Sequence, residues 1–162
     1  MEKIIVDKNY ITTQGYQRLK DELHNLVTKD RPHLVQTINW AAGNGDRSEN
    51  GDYIYGKRKL REVDKQIHRL TKKLEKAEVV NFSVHEGNEK IFFGATVTIL
   101  RNATVTQTIK IVGQDEINPD LNYISWTSPL ARMLLGKVLG DTVSHRFPHG
   151  EDVIDIIDVC YK

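Results

Sequence analysis

Three carboxylates recur at every third position in a short polar stretch, residues 43–55. Its first nine residues include three glycines and two asparagines, which tolerate positive φ and interrupt a helix, so we predict that the chain reverses direction here. If a helix begins near Ser48, then Asp46, Glu49 and Asp52 line one side of its first turn. The spacing alone favours a helix cap, because carboxylates accept hydrogen bonds from the free N–H groups at a helix start and suit its positive dipole. The alternative is an acidic group that is presented to another molecule.

Helical patterns flank this turn on both sides. Before it, apolar residues spaced alternately by three and four form the seam of a coiled coil, at Tyr16, Leu19, Leu23 and Leu26. The seam then slips by one place: Asp30 and His33 occupy the next expected positions, and apolar residues return one place late, at Leu34, Ile38 and Ala41 or Ala42. Pro32 predicts a bend rather than an end, because the periodicity resumes beyond it. We therefore predict one bent helix over residues 13–42.

The second arm has an uninterrupted seam, at Tyr53, Gly56, Leu60, Val63, Ile67, Leu70, Leu74 and Ala77. Two helical arms that are joined by a short polar turn must pack antiparallel, since neither can hide its apolar stripe alone. Each arm has about 30 residues and is therefore roughly 45 Å long. The acidic turn is predicted to lie at the far end of this hairpin, where it is available to enter another molecule.

Charge is distributed unevenly along the chain. The net charge is +1 overall, but residues 57–76 alone carry nine basic residues against three acidic ones. A run of this kind is usually a solvated helix face, and the alternative is a surface that binds a polyanion. No apolar run is long enough to span a bilayer or to act as a signal peptide, so we expect a soluble, cytoplasmic protein without membrane contact. Cys160 is the single cysteine, which excludes an internal disulfide.

After residue 78 the pattern changes to short β-rich runs separated by turn residues. The predicted strands lie within residues 79–84, 91–101, 105–112, 122–126 and 152–161. Ser128 and Pro129 open a short helix over residues 130–135, with the serine as its cap. The sequence therefore predicts an α+β protein: a coiled-coil hairpin over residues 1–78 and a small antiparallel sheet with one short helix over residues 79–162.

The tip and the second arm resemble a known family, the bacterial Gre transcript-cleavage factors, and in particular their GreB type. The resemblance rests on Gly45-Asp46-Arg47-Ser48-Glu49-Asn50-Gly51-Asp52-Tyr53 and on Tyr55-Gly56-Lys57-Arg58-Lys59-Leu60-Arg61-Glu62-Val63-Asp64. Similar segments occur in the family's order at Arg31-Pro32, Trp40-Ala41-Ala42, Phe92-Phe93-Gly94, Ile111-Val112-Gly113 and Ser128-Pro129-Leu130-Ala131-Arg132. The resemblance thus covers nearly the whole chain.

The resemblance implies an N-terminal coiled coil and a C-terminal domain of FKBP-like fold. Members of this family bind RNA polymerase, insert the coiled coil through its secondary channel, and stimulate endonucleolytic cleavage of the backtracked nascent RNA. On this basis the protein is expected to be an accessory factor and not an enzyme, to act as a monomer, and to contact the RNA 3′ end within the elongation complex.

The same resemblance assigns roles to individual residues. It places the two catalytic carboxylates at Asp46 and Glu49, which are expected to hold Mg²⁺ jointly with the polymerase. Two carboxylates on a turn bind this hard cation weakly, so the ion is not expected in the free protein. Supporting roles at the tip are expected for Arg47, Ser48, Asn50, Asp52 and Tyr55. The expected RNA-binding basic patch comprises Lys57, Arg58, Lys59 and Arg61, and polymerase docking is expected at Ser128 and Pro129.

Purely structural roles for these residues remain alternatives to the functional ones. Ser48, Asn50 and Asp52 could simply hold the turn and cap the helix. Tyr53 lies on the seam and is expected to pack, whereas Tyr55 points elsewhere and could stack on an RNA base. Arg47 is either a phosphate contact or an ordinary surface charge.

Two positions depart from the family pattern. Gly51 stands where the family usually has alanine, and Thr127 stands where the GreB type usually has aspartate in its polymerase-docking loop. We therefore expect a looser tip and an altered polar contact at the docking loop.

Three other functions are compatible with parts of the sequence. The first is a regulator that occupies the polymerase channel without stimulating cleavage. The second is a prolyl isomerase, suggested only by the FKBP-like resemblance of residues 79–162, and fold alone is weak evidence of function. The third is a free nucleic-acid-binding coiled coil, suggested by the basic second arm.

Overall fold

The computed structural model describes residues 8–44 and 49–162. The described chain forms two compact units, one of residues 16–77 and one in which residues 8–15 join residues 78–162. The sequence prediction assigned residues 8–15 to the hairpin. They lie with the second unit because strand β1 (Asn9–Thr12) pairs with strand β2 (Ala77–Val80), and because Ile11 and Thr12 are buried there.

The first arm of the helical unit is one continuous helical segment with a local irregularity. Helix α1 (Thr13–Asn25) leads into a π-helical turn (Leu26–Asp30), and helix α2 (Arg31–Ala42) follows. The N–H of Arg31 donates to the carbonyl of Leu26, five residues earlier. A π-helical turn accommodates one extra residue. This extra residue explains why the apolar seam resumes one place late, and it confirms the predicted irregularity beside Pro32.

Helix α3 (Gly51–Lys76) forms the second arm and confirms the predicted seam. Every seam residue from Tyr53 to Ala77 is buried or half-buried. Gly56 and Leu70 are the buried residues of this helix. The predicted start near Ser48 is wrong, because Asn50 is the cap and the helix begins at Gly51. Glu49 therefore precedes the helix, and Asp52 alone lies in its first turn.

The second unit is built on a five-stranded sheet. Its strands are β3 (Thr96–Arg101), β4 (Val105–Val112), β5 (Tyr123–Ser125), β6 (Thr142–Phe147) and β7 (Gly150–Cys160). They are arranged in the order β5-β4-β3-β7-β6. All pairs are antiparallel except β4 with β5, which is parallel and corrects the prediction of a purely antiparallel sheet.

Some element boundaries differ from the predicted runs. Strand β2 ends at Val80, and a 3₁₀ turn (Phe82–His85) follows it. Strand β3 begins at Thr96 instead of residue 91, because Gly94 turns the chain at φ +90, where a side chain would also overlap Phe82. Strand β6 was not predicted at all. Helix α4 (Pro129–Leu134) lies within one residue of the predicted helix.

The core of this unit lies on one face of the sheet. Helix α4 contributes Ala131 and Leu134, both fully buried. The sheet contributes alternate side chains from its three central strands, as expected when one face is covered: Val97, Ile99, Ile109, Ile111, Ile154 and Ile156. The structure thus confirms an α+β protein with a helical hairpin and a sheet domain that carries one short helix. No helix in the described part of the chain is both long and apolar enough to cross a membrane.

Candidate functional site

Asn50 holds the two arms together at the tip of the hairpin. Its side-chain oxygen accepts a hydrogen bond from the N–H of Tyr53 at 3.2 Å, which caps helix α3. Its side-chain nitrogen donates to the carbonyl of Ala41, near the end of helix α2, at 2.6 Å. One amide side chain therefore caps one helix and binds the other, and Glu49 is the residue directly before it.

The helices approach closely just below this bridge. Gly56 is buried, and a Cβ atom at this position would lie 2.8 Å from Cγ1 of Ile38 on the opposite arm. Only glycine permits this approach without displacing Ile38. Farther from the tip, Arg31 Nε and Asp64 Oδ1 form an exposed ion pair of 2.9 Å between the arms. These contacts fix the register of helix α2 against helix α3.

A shallow polar depression lies beside the bridge. It is lined by Asn44, Glu49, Asn50 and Asp52, and both carboxylates are exposed. All four side chains carry oxygen atoms, which are the donors that Mg²⁺ prefers in proteins. The oxygen donors are thus of the kind that Mg²⁺ takes, but the residues that the structure describes contain no group of three or more acidic, histidine or cysteine side chains that could hold a metal ion. The predicted residues Asp46, Arg47 and Ser48 lie outside the described residues.

The predicted basic patch follows on the first turns of helix α3, and its members differ in their surroundings. The Lys57 ammonium lies 5.5 Å from the centre of the Tyr53 ring. The Lys59 ammonium lies 5.7 Å from the Tyr55 ring and 3.6 Å from the Glu62 carboxylate. Arg58 and Arg61 are exposed. Within the basic patch, the positive charges of the two arginines are therefore the most accessible to a phosphate.

The two tyrosines near the tip have the environments that their positions predicted. Tyr53 lies on the seam and is half-buried, whereas Tyr55 is 61% exposed. An exposed aromatic ring offers a face on which a nucleic-acid base can stack. Tyr55 is thus available for the RNA contact suggested for it, and Tyr53 contributes to packing.

The predicted docking residues lie at the start of helix α4 in the second unit. Ser128 Oγ accepts a hydrogen bond from the N–H of Ala131 at 3.3 Å, so it caps the helix as predicted. Pro129 is the first helical residue and is exposed. Thr127, at the position of the usual aspartate, bonds through its hydroxyl to Ser125 at 2.7 Å. The hydroxyl of Thr127 is therefore engaged within the loop.

The Asn50 bridge to Ala41 was missed by sequence reasoning. The sequence identified Asn50 as a possible cap, because asparagine is a preferred cap residue. The bond to Ala41 depends on how closely the two arms approach, and the nearest sequence signal is the glycine in the seam at position 56. A small residue at a seam position is the feature that could have indicated close packing at the tip.

Comparison with known proteins agrees with this architecture. A family model described as the N-terminal part of a transcription elongation factor matches residues 9–79, and the GreA/GreB C-terminal model matches residues 86–161. Transcription elongation factor GreB of Neisseria meningitidis serogroup B is 56% identical over 154 residues, which cover 95% of this chain and 94% of that protein. GreB of Pseudomonas putida is 48% identical, with 94% of each chain covered.

Two solved structures show a weaker similarity to the chain. The GreA/GreB factor of Nitrosomonas europaea is 19% identical with a TM-score of 0.43, covering 95% of this chain and 100% of that one. The GreA factor homolog Gfh1 of Thermus thermophilus is 21% identical with a TM-score of 0.42, covering 94% and 98%. On the evidence of the two family models and the close GreB relatives, the chain belongs to the GreA/GreB family of transcription elongation factors, which act on RNA polymerase as accessory factors.

Proposed function

We propose that the protein inserts its helical hairpin through the secondary channel of RNA polymerase and stimulates cleavage of the backtracked nascent RNA. In this proposal, Asp46 and Glu49 supply carboxylates to the polymerase's catalytic centre. The observation that supports it best is the position of Glu49, in an exposed depression at the end of the hairpin, next to the Asn50 bridge. A carboxylate held in this way is accessible to a second molecule.

Asp46 and Glu49 would hold Mg²⁺ together with carboxylates of the polymerase. In a two-metal hydrolysis of a phosphodiester, one ion would activate a water molecule and the other would stabilise the leaving oxygen. The chain's own contribution is to bring negative charge to the end of a long hairpin and to fix its orientation. Asn50 provides this orientation, because it ties the start of helix α3 to the end of helix α2. Asp52, in the first turn of helix α3, adds a further oxygen donor to the same depression.

The basic patch would hold the RNA beside the acidic tip. Arg58 and Arg61 are exposed and would bind phosphates of the displaced 3′ segment. Lys57 and Lys59 lie over tyrosine rings and would contribute to the positive field around them. Arg47 would contact the phosphate at the scissile bond. Tyr55 would stack on a base, because its ring is largely exposed.

The second unit would anchor the factor outside the channel. Pro129 is exposed at the start of helix α4, where Ser128 fixes the local backbone by capping the helix. The Thr127 hydroxyl is turned toward Ser125, so docking would depend on the shape of this loop and on backbone groups more than on a charged side chain at position 127. We further propose that the protein acts as a monomer in the cytoplasm.

The proposal is tested with purified stalled elongation complexes that carry 3′-labelled backtracked RNA. We expect short 3′ fragments when the protein and Mg²⁺ are added together. Much slower release is expected from the complexes alone, and none from free RNA mixed with the protein. Cleavage of free RNA would show an independent nuclease. Tight binding to the polymerase without accelerated cleavage would instead show a regulator that only occupies the channel.

A further inference from the structure

Trp40 is an unusually exposed aromatic residue near the tip of the hairpin. It lies in the last turn of helix α2 and is 64% exposed. Within the described part of the chain, its ring has no aromatic or cationic contact. The other tryptophan, Trp126, packs edge-on against Tyr10 with 5.0 Å between ring centres. The packing of the hairpin therefore does not account for the tryptophan at position 40.

The geometry of the hairpin relates Trp40 to Tyr55. Each residue directly precedes a seam residue, Ala41 for Trp40 and Gly56 for Tyr55. Equivalent positions in two antiparallel helices are related by a two-fold axis perpendicular to both, so the two residues lie on the same broad side of the hairpin. The contact between Gly56 and Ile38 sets the register and places the two residues at nearly the same level.

Charge on this side of the hairpin indicates what it binds. Lys59 follows Tyr55 by one helical turn, and its ammonium lies over the Tyr55 ring, so it belongs to the same surface. We call Trp40, Tyr55 and Lys59 the aromatic face. Exposed rings next to basic side chains are the combination with which proteins hold single-stranded nucleic acid, because every base has a π-face and every nucleotide carries a phosphate.

We propose that the aromatic face binds bases of the displaced RNA 3′ segment, with Trp40 as its main stacking residue. This proposal rests on the proposed function, because it requires that the tip reaches the RNA. It adds a positioning role for a residue on the first arm, whereas the basic patch and Tyr55 all lie on the second. In this arrangement, RNA phosphates meet the basic side chains of helix α3 while a base covers the Trp40 indole.

The test uses stalled complexes whose backtracked RNA carries 2-aminopurine, a base whose fluorescence falls when it stacks. The protein is used as the Asp46→Asn, Glu49→Gln variant, so that the RNA remains uncleaved during the measurement. We expect this variant to quench the fluorescence, and we expect Trp40→Ala in the same background to remove most of the quenching. Trp40→Phe should retain part of it.

The matched control is Ile54→Ala, which removes an exposed apolar side chain at the same level of the hairpin but on its opposite side. Ile54 is 45% exposed, and this substitution should leave the quenching unchanged. With intact tip carboxylates, Trp40→Ala should slow cleavage about tenfold, the effect of losing one base stack, and Ile54→Ala should not.

Two results would overturn the stacking role without affecting the proposed function. One is that, at saturating concentration, the Asp46→Asn, Glu49→Gln protein quenches the fluorescence equally with and without the additional Trp40→Ala substitution. The other is a loss of polymerase affinity in Trp40→Ala that is the same with and without backtracked RNA, which would show that the indole contacts the polymerase. Failure of the proposed function would look different, because the protein with intact carboxylates would then bind without stimulating cleavage.

Discussion

The side-chain nitrogen of Asn50 donates to the carbonyl of Ala41 across the tip of the hairpin, at 2.6 Å. This bond joins the last turn of one helix to the cap of the next, and the acidic turn lies between them in the sequence. Because the same side chain also caps helix α3, one amide group binds both helices, at the residue directly after Glu49. The two hydrogen bonds of Asn50 therefore hold the end of helix α2 and the start of helix α3 together beside the acidic turn.

The two bonds of Asn50 can be separated with Asn50→Ser. Serine keeps the capping oxygen but is too short to reach the Ala41 carbonyl. We expect a loss of about 1 kcal/mol in local stability, because one hydrogen bond is lost. Asn50→Ala should lose roughly 2 kcal/mol, since the cap is also removed. Hydrogen exchange of the Tyr53 amide measures both effects. Equal exchange rates in Asn50→Ser and the unmodified protein would show that the bond to Ala41 does not stabilise the tip.

Gly51 is a site at which the tip can be stabilised. It is the first residue of helix α3, and its φ is not positive. A Cβ atom added at this position would have no heavy atom within 4 Å. Gly51→Ala should stabilise the start of the helix by about 0.4–1 kcal/mol, because alanine has less conformational freedom to lose. Amide exchange of residues 53–56 should slow accordingly, while polymerase affinity stays constant. Faster exchange would mean that the glycine is required by the turn.

The contact between Gly56 and Ile38 predicts that the effect of Gly56→Ala on the stability of the hairpin changes sign when Ile38 is shortened. Gly56→Ala alone should destabilise the hairpin, because its methyl group would overlap Cγ1 of Ile38. In an Ile38→Ala background that atom is absent. The same substitution should then stabilise the hairpin by about 1 kcal/mol through helix propensity. Thermal unfolding followed by helical circular dichroism measures all four proteins. Additive effects would contradict the close approach of the two arms.

The stability of the second unit should depend on pH through Asp152. This carboxyl is 4% exposed and accepts a hydrogen bond from the Asn102 side-chain nitrogen at 2.9 Å. That bond, with a smaller contribution from His149 at 3.4 Å, holds the pKa of Asp152 below its usual range. A lowered pKa means that the ionised form stabilises the folded state. The contribution is complete above the unfolded-state pKa of about 4 and is lost as the pH falls through the folded-state pKa.

This pH dependence is measured by urea unfolding between pH 7 and pH 3, followed through Trp126 in a Trp40→Phe background. As the pH falls, the free energy of unfolding should decrease more steeply for the protein that keeps Asp152 than for the Asp152→Asn variant. Asp158→Asn, an exposed carboxyl on the same strand, serves as the control and should keep the steep slope. If stability depends on pH in the same way with and without the Asp152→Asn substitution, Asp152 is not the source of the pH dependence.

The elements that the sequence predicted well are those whose burial follows a simple period. The seam of helix α3 was correct at every position, because a helix that packs on one partner must bury one stripe. The irregularity before Pro32 was also visible, since a one-residue slip in the seam requires an extra residue in the helix. The start of helix α3 was misplaced because Ser48 and Asn50 are both good caps, and the sequence does not distinguish between them.

Other features depend on residues that are far apart in the chain. Strand β6 escaped prediction because its residues, such as His145 and Arg146, lack the usual strand composition, and its pairing with β7 decides its conformation. Nothing in the sequence indicated that Glu116 would be buried. In the structure it is buried and accepts hydrogen bonds from Thr12 and Gly113, and the bond from Thr12 joins residues 104 positions apart. No local pattern reveals such a partner.

The most direct test of the account is the cleavage rate of stalled elongation complexes with Asp46→Asn, Glu49→Gln, measured beside polymerase affinity. Glu22→Gln with Glu75→Gln removes the same number of carboxylates from exposed positions away from the tip and is the matched control. We predict that the tip variant binds the polymerase normally but leaves the release of 3′ fragments at the slow rate of the complexes alone, whereas the control binds and accelerates release. Undiminished cleavage by the tip variant at saturating concentration would contradict the claim that these carboxylates complete the polymerase's catalytic centre.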